Sequence, residues 1–280
     1  YDKFVPWDVL NIVSKYNVTS LCCPPTMFRM FLNDGKVEEH DLSRLKYATI
    51  AGEALNPDVY HKWYAATGLK LMEGYGQTET TLTVCNLVGM EPRPGSMGKP
   101  SPQYVIDIID ADGNSCPAGV TGEIVVGADP PVAGMMVEYY RDPDKTKSTI
   151  YGGWHHTGDV AWKDEDGYIW YVGRNDDIIK SSGYRIGPFE IESVLANHPA
   201  VRESAVTGVP DEMRGQLVKA TIVLRDGFDP SEALKRDIQD FVKRETAPYK
   251  YPRVVEFVKI LPKTLSGKIR RVEIRNGDKK

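Results

Sequence analysis

Leu69-Lys70-Leu71-Met72-Glu73-Gly74-Tyr75-Gly76-Gln77-Thr78-Glu79 is the stretch that decides the fold. Leu69 to Met72 is short and apolar, as a buried strand is, and it runs straight into glycines that predict a turn over 73–79. That turn offers backbone N–H groups, the Thr78 hydroxyl and the Glu79 carboxylate together. A hydroxyl beside a carboxylate suits phosphate and a hard cation. Glycines at the end of a strand are also ordinary punctuation, so the stretch needs company.

Upstream, Asp8 to Tyr16 has helical spacing and Val18 to Cys22 reads as a strand. Pro24-Pro25 opens a helix to about Leu32, because proline in a first turn lacks only a donor that is orphaned anyway. Tyr47 to Ala51 is a strand ending at Gly52, and Pro57 to Ala66 is a helix. In such α/β layers ligands lie beyond the carboxyl ends of the strands. Gly52-Glu53-Ala54 and the 73–79 turn are therefore expected to face one crevice.

From Pro92 the pattern changes to short strands and tight turns: Val105 to Ile109, Glu123 to Val126, and a hairpin through Asp166-Gly167 into Tyr168 to Val172. This predicts a small barrel or sandwich. After Gly173 a strand pair over 176–186 leads to a helix from Pro188 to Asn197 and strands at 201–209 and 217–224. A helix capped by Ser231 runs to Glu245, and a strand follows at 254–260. The expected class is α/β: residues 1–173 form an α/β layer (1–91) with a β-rich part (92–173), and residues 174–280 a compact α+β domain.

The 280 residues can bury a sizeable core, and 35 Lys+Arg against 39 Asp+Glu, a net −4, give no global pull toward nucleic acid. No apolar run approaches the roughly 20 residues of a membrane span, and no leader is visible, so the cytoplasm is the default compartment. Cys22, Cys23, Cys85 and Cys116 lack a CxxC spacing and read as reduced, mostly buried thiols. His155 and His156 are strand neighbours whose side chains diverge, so a shared metal is not expected. The chain begins at Tyr1 within a helix approach, as a piece of a longer protein would.

Thr157-Gly158-Asp159 is either a plain turn or a carboxylate able to accept both hydroxyls of a ribose. Gly173-Arg174-Asn175-Asp176-Asp177 is a charged turn. Pro262-Lys263-Thr264-Leu265-Ser266-Gly267-Lys268 reads as a turn with a lysine at its tip; it lacks the GxxxxGK[ST] spacing of a Walker A loop.

In this order, the motifs resemble the adenylate-forming superfamily of acyl-CoA synthetases, luciferases and adenylation domains, over essentially the whole chain. Ala247-Pro248-Tyr249-Lys250-Tyr251-Pro252-Arg253 and Gly267-Lys268-Ile269-Arg270-Arg271 look most like medium-chain acyl-CoA synthetases. The family's upstream Ser/Thr/Gly-rich phosphate loop has no counterpart here. The resemblance therefore implies the C-terminal part of a large α/β plus small β-barrel domain, then the mobile C-terminal domain. The N-terminal half of the large domain would be missing, and the fragment inactive alone.

The resemblance implies ATP, Mg²⁺ and coenzyme A. A carboxylic acid would attack the α-phosphorus of ATP, giving an acyl-AMP and pyrophosphate, and the coenzyme A thiol would then displace AMP. Lys268, Thr78 and Glu79 are the implied catalytic residues, with Glu79 on the metal. Gly52, Glu53, Ala54, Glu73, Gly74, Tyr75, Gly76, Gln77, Thr78, Asp159, Arg174, Arg185 and Lys268 would surround the nucleotide. Ser182, Gly183, Tyr184, Arg214, Arg244 and Arg253 would contact coenzyme A, and Asp176 would be the hinge. A domain loading a carrier protein, or a non-catalytic nucleotide-binding remnant, are the competing implications.

Overall fold

The computed structural model describes residues 4–264 and 268–278. It divides into two compact units, Tyr1–Tyr171 and Val172–Lys280.

The first unit opens with α1 (Pro6–Lys15), β1 (Ser20–Cys23), α2 (Pro25–Asp34), β2 (Tyr47–Ile50), α3 (Pro57–Thr67), β3 (Leu71–Gln77), β4 (Thr81–Cys85) and β5 (Lys99–Pro100). β1, β2 and β3 are parallel neighbours, with Ile50 opposite Glu73. Leu10, Phe28, Phe31, Ile50, Leu55, Trp63 and Leu71 fill the core between sheet and helices, the Phe28 and Trp63 rings meeting edge-on at 4.8 Å. Asn56 caps α3 by accepting from the Asp58 N–H at 2.9 Å.

The glycine stretch corrects the expected turn. β3 continues through Gly74, Tyr75 and Gly76 to Gln77, and only 78–80 turn before β4 returns antiparallel. The register shifts between Tyr75 and Gly76, a bulge. A Cβ at Gly76 would lie 1.6 Å from the Thr81 carbonyl oxygen, so glycine is there for backbone approach and not to turn the chain.

Next come β6 (Ile106–Ile109), β7 (Gly122–Gly127), α4 (Pro143–Thr149), β8 (Ile150–Tyr151), β9 (Trp154–Lys163) and β10 (Ile169–Arg174). They form an antiparallel sheet in the order β10-β9-β7-β6, with β8 beside β9. Val84, Met97, Ile108, Ile124, Ala161 and Ile169 pack together behind it, with Tyr75 and Tyr171 against them. This is the expected β-rich part, a half-barrel on the α/β layer.

The second unit contains β11 (Ile179–Ser181), β12 (Tyr184–Ile186), α5 (Pro188–Leu195), β13 (Val201–Asp211), β14 (Gly215–Leu224), α6 (Glu232–Glu245), β15 (Val254–Phe257) and α7 (Arg271–Gly277). The sheet runs β12-β11-β14-β13 with β15 parallel to β14. Ile179, Ile191, Leu195, Val206, Ile222, Ile238 and Val242 form its core. Ser231 caps α6, its hydroxyl accepting from the Leu234 N–H at 3.1 Å. α7 was not expected from the sequence. It is held by ion pairs, Arg271 to Glu192 at 2.6 Å and Arg275 to Asp177.

Glu73 ties the first sheet to its loops. It is 4% exposed, and its Oε1 accepts from the Leu55 N–H at 3.1 Å while Oε2 is buried without a partner. Burial pushes its carboxyl up to about 8. A carboxyl raised on folding contributes stability fully present below about 4.5, lost as pH rises through about 8. Thermal melts should therefore show the wild-type chain losing stability across that window while Glu73→Gln holds nearly level. Parallel pH profiles would contradict this. Gly76→Ala should lower stability by about 3 kcal/mol in denaturant titration, since backbone must move to admit the methyl group; an unchanged midpoint would contradict the close approach.

Candidate functional site

The first unit gathers its polar side chains where β3 meets β9 and β10. Asp159 lies on β9 and is 4% exposed. Its Oδ2 accepts from the Tyr75 hydroxyl at 2.7 Å and from Gln77 Nε2 at 2.6 Å, and its Oδ1 from the Tyr171 hydroxyl at 3.2 Å. A buried carboxylate without such donors would be costly to keep charged. Burial and then the Asp159 charge push the Tyr75 phenol well above its ordinary value, so its hydroxyl stays a donor.

Thr157-Gly158-Asp159 is not the expected turn: it lies within β9, where the register against β7 shifts, and it is braced locally. Thr157 Oγ1 donates to the Ile124 carbonyl at 2.7 Å and accepts from the Asp159 N–H at 3.1 Å. Glu123 accepts the Gly158 N–H at 2.9 Å, and its other oxygen pairs with His156 Nδ1 at 3.0 Å. The Tyr151 ring stacks on His156 at 3.7 Å. His155, on the same strand, turns instead toward Gln77.

At the hairpin tip Thr78 is exposed and Glu79 half-buried. The Tyr139 hydroxyl donates to Glu79 Oε1 at 2.9 Å, and the Met136 N–H to the Glu79 carbonyl at 2.7 Å. Pairing of β2 with β3, Ile50 opposite Glu73, brings the 52–54 loop to the same end of the sheet as the glycine strand. Thr26 Oγ1 donates to Glu53 Oε2 at 2.7 Å, so Glu53 is anchored to α2. Glu73 supports the loop from beneath, with its side chain in the core. Tyr171, Glu123, His156 and Tyr139 were missed by sequence reasoning. Only the alternation of polar and apolar residues along β9 and β10 could have pointed to His156 and Tyr171.

In the second unit, Ser182 and Gly183 have φ of +50° and +85° and form the two-residue turn between β11 and β12. Two successive left-handed residues are what a type I′ hairpin needs. A Cβ at Gly183 would meet nothing within 4 Å. Its glycine therefore answers to backbone conformation within this unit. Ser182 is joined to Arg214, whose Nη1 donates to Ser182 Oγ at 3.2 Å and whose carbonyl accepts the Ser182 N–H at 2.9 Å. The Tyr184 ring stacks on Tyr249 at 4.0 Å.

Arg244 lies over Phe241 and Arg253 over Tyr251, 5.6 and 4.7 Å from the ring centres. Arg174 approaches Asp176 at 3.6 Å, and Arg185 is exposed on β12 opposite Lys180.

Lys268 pairs with Thr264, its N–H donating to Thr264 Oγ1 at 3.1 Å and its carbonyl accepting the Thr264 N–H at 2.8 Å. Leu265, Ser266 and Gly267 lie outside the described residues. Cys23, Cys85 and Cys116 are buried thiols and Cys22 is exposed. Burial pushes Cys23 up to about 11, so it is inert as a nucleophile.

Among the described residues no group of three or more His, Cys, Asp or Glu side chains is placed to hold a metal. Mg²⁺ does not require one, since a single carboxylate and substrate phosphates commonly suffice. Glu79, half-buried at a hairpin tip and steadied through one oxygen, fits that requirement. No helix among the described residues is long and apolar enough to cross a membrane.

Residues 1–140 match the AMP-binding enzyme family and residues 190–268 the AMP-binding enzyme C-terminal domain. The mitochondrial acyl-coenzyme A synthetase ACSM3 of Rattus norvegicus is 47% identical over 276 residues, 98% of this chain and 47% of that protein. Human mitochondrial acyl-coenzyme A synthetase ACSM5 is 50% identical over 272 residues, 96% of this chain and 47% of that protein. The chain thus spans about half the length of the curated relatives it matches. The crystal structure of the anthranilate CoA ligase AuaEII with anthranoyl-AMP superposes with a TM-score of 0.88 at 38% identity, covering 98% of this chain and 52% of that one. ATP-bound MatB from Rhodopseudomonas palustris gives 0.87 at 30% identity, over 99% of this chain and 54% of that one. Matched in both regions, this chain belongs to the AMP-binding enzyme family.

Proposed function

We propose that the full-length protein is an AMP-forming acyl-CoA synthetase. The observation that carries the reading is the Asp159 carboxylate, buried, triply braced and set beside a hairpin that presents Thr78 and Glu79. Family membership and the acyl-CoA synthetase relatives support it.

In this reading a carboxylate oxygen of the acid attacks the α-phosphorus of ATP, and the bond to pyrophosphate breaks. The acyl-AMP then meets the coenzyme A thiol, a carbon–sulfur bond forms, and AMP leaves with the electron pair of the acyl–oxygen bond. Asp159 accepts the ribose hydroxyls, and Arg174 and Arg185 are further nucleotide contacts. Gly52 to Ala54 and residues 73–77 border the base, while Thr78 donates to phosphate. Glu79 would hold Mg²⁺, which offsets triphosphate charge. Lys268 carries the positive charge on which adenylation depends, because charge grows on the α-phosphoryl oxygens in that step. Ser182, Gly183, Tyr184, Arg214, Arg244 and Arg253 serve coenzyme A, with Asp176 as hinge between domains 1–173 and 174–280. The compartment in our reading is the cytoplasm. The two relatives named above carry a mitochondrial label, and cell fractionation decides between them.

The test is pyrophosphate exchange by the full-length protein with a panel of carboxylic acids. Lys268→Ala should reduce acyl-AMP formation by about 10²–10³-fold and spare thioester formation from supplied acyl-AMP; equal loss of both half-reactions would contradict the assigned role. Asp159→Ala should raise the apparent KM for ATP by about 100-fold, as loss of two hydrogen bonds to a charged acceptor would. An unchanged KM would remove Asp159 from the nucleotide site.

A further inference from the structure

The carboxamide of Gln77 has only one possible orientation. Its Nε2 lies 2.6 Å from Asp159 Oδ2 and 2.9 Å from the Thr157 carbonyl oxygen, two groups that can only accept. The nitrogen must face them, and Oε1 must face the other way. There it lies 3.4 Å from His155 Nε2. Because Oε1 can only accept, His155 Nε2 must carry the hydrogen. The tautomer is thereby fixed, and Nδ1 is left as the bare nitrogen, buried without a partner in a side chain 1% exposed. Protonating Nδ1 would place a charge in that dry surrounding, and burial accordingly pushes the imidazole below its ordinary value.

The chain of contacts ends on the carboxylate read above as the ribose acceptor. Rotation of a carboxylate about its last bond is soft, so donors must set its plane. Gln77 donates to Oδ2, and its nitrogen is held by two acceptors, Asp159 and the Thr157 carbonyl; a donor at its oxygen end adds a third hold against tilting.

We infer that His155 is a positioning residue for nucleotide recognition: by donating from Nε2 to Gln77 it locks the amide that orients Asp159, so the grip on the sugar depends on a histidine buried behind the site. This rests on the reading of Asp159 as the ribose acceptor.

The test uses the full-length protein and two probes, ATP and 2′,3′-dideoxy-ATP, each with Mg²⁺, titrated calorimetrically. His155→Leu removes the donor. It should weaken ATP about five-fold and leave dideoxy-ATP within about two-fold, the worth of one neutral hydrogen bond. His155→Gln places an amide N–H where Nε2 stood and should restore the preference for ATP. His155→Phe, a ring of similar footprint without a donor, replaces the Leu variant in the same comparison if that chain does not fold. Equal weakening of both probes, with no recovery in His155→Gln, overturns the inference, because a merely structural histidine has no reason to sense the hydroxyls. Asp159→Ala separates the two claims. If it abolishes the preference for ATP while His155→Leu keeps it, only the positioning role fails. If Asp159→Ala keeps the preference, the ribose reading fails and the inference with it.

Discussion

A carboxylate taken out of water must be met by donors or give up its charge. Asp159 is met by three, Tyr75 and Gln77 from β3 and Tyr171 from β10. These side chains come from two different sheets of the first unit, so the contact that keeps one group charged also fixes how the α/β layer meets the half-barrel. The β9 segment carrying Asp159 is itself held by Thr157 and Glu123, which leaves it little freedom. A buried acceptor of fixed direction where the half-barrel meets the parallel layer suits a vicinal diol.

The same constraint explains the glycines of β3. Tyr75 and Gln77 can both reach Asp159 only if the strand continues past the end of the parallel layer and pairs with β4. The bulge at Tyr75 and Gly76 shifts the register there, and Gly76 admits the Thr81 carbonyl where any side chain would collide. Behind the strand, Glu73 is largely protonated at neutral pH and accepts from Leu55. One strand thus carries both the loop support, Glu73, and two of the donors to Asp159, Tyr75 and Gln77.

Much of this architecture was legible in the sequence, because amphipathic helices and apolar strands announce their periods. α3 and α6 lie within a residue or so of their expected bounds, with Asn56 and Ser231 as caps. α4 and α7 were not legible. α4 is Pro-Asp-Lys-Thr-Lys-Ser-Thr, without an apolar stripe, and is started by an Asp142 cap; α7 is held by arginine ion pairs. The glycine stretch misled for a physical reason, since glycine marks a close backbone approach in a strand as readily as a turn. In the site, Gln77 and Asp159 could be nominated singly, but their direct bond joins residues 82 apart. Beyond strand alternation nothing marked Tyr171, whose half-buried ring reads as packing, and His155 stood out only as the neighbour of His156.

The central claim is that Asp159 is an acceptor held ready for a sugar diol. The most direct measurement is a crystal structure of the full-length protein with AMP bound. The account predicts both ribose hydroxyls within about 3 Å of the Asp159 oxygens, with the Gln77 and Tyr171 hydrogen bonds retained. Ribose hydroxyls bound by other side chains, with Asp159 satisfied only by its own protein donors, would contradict it.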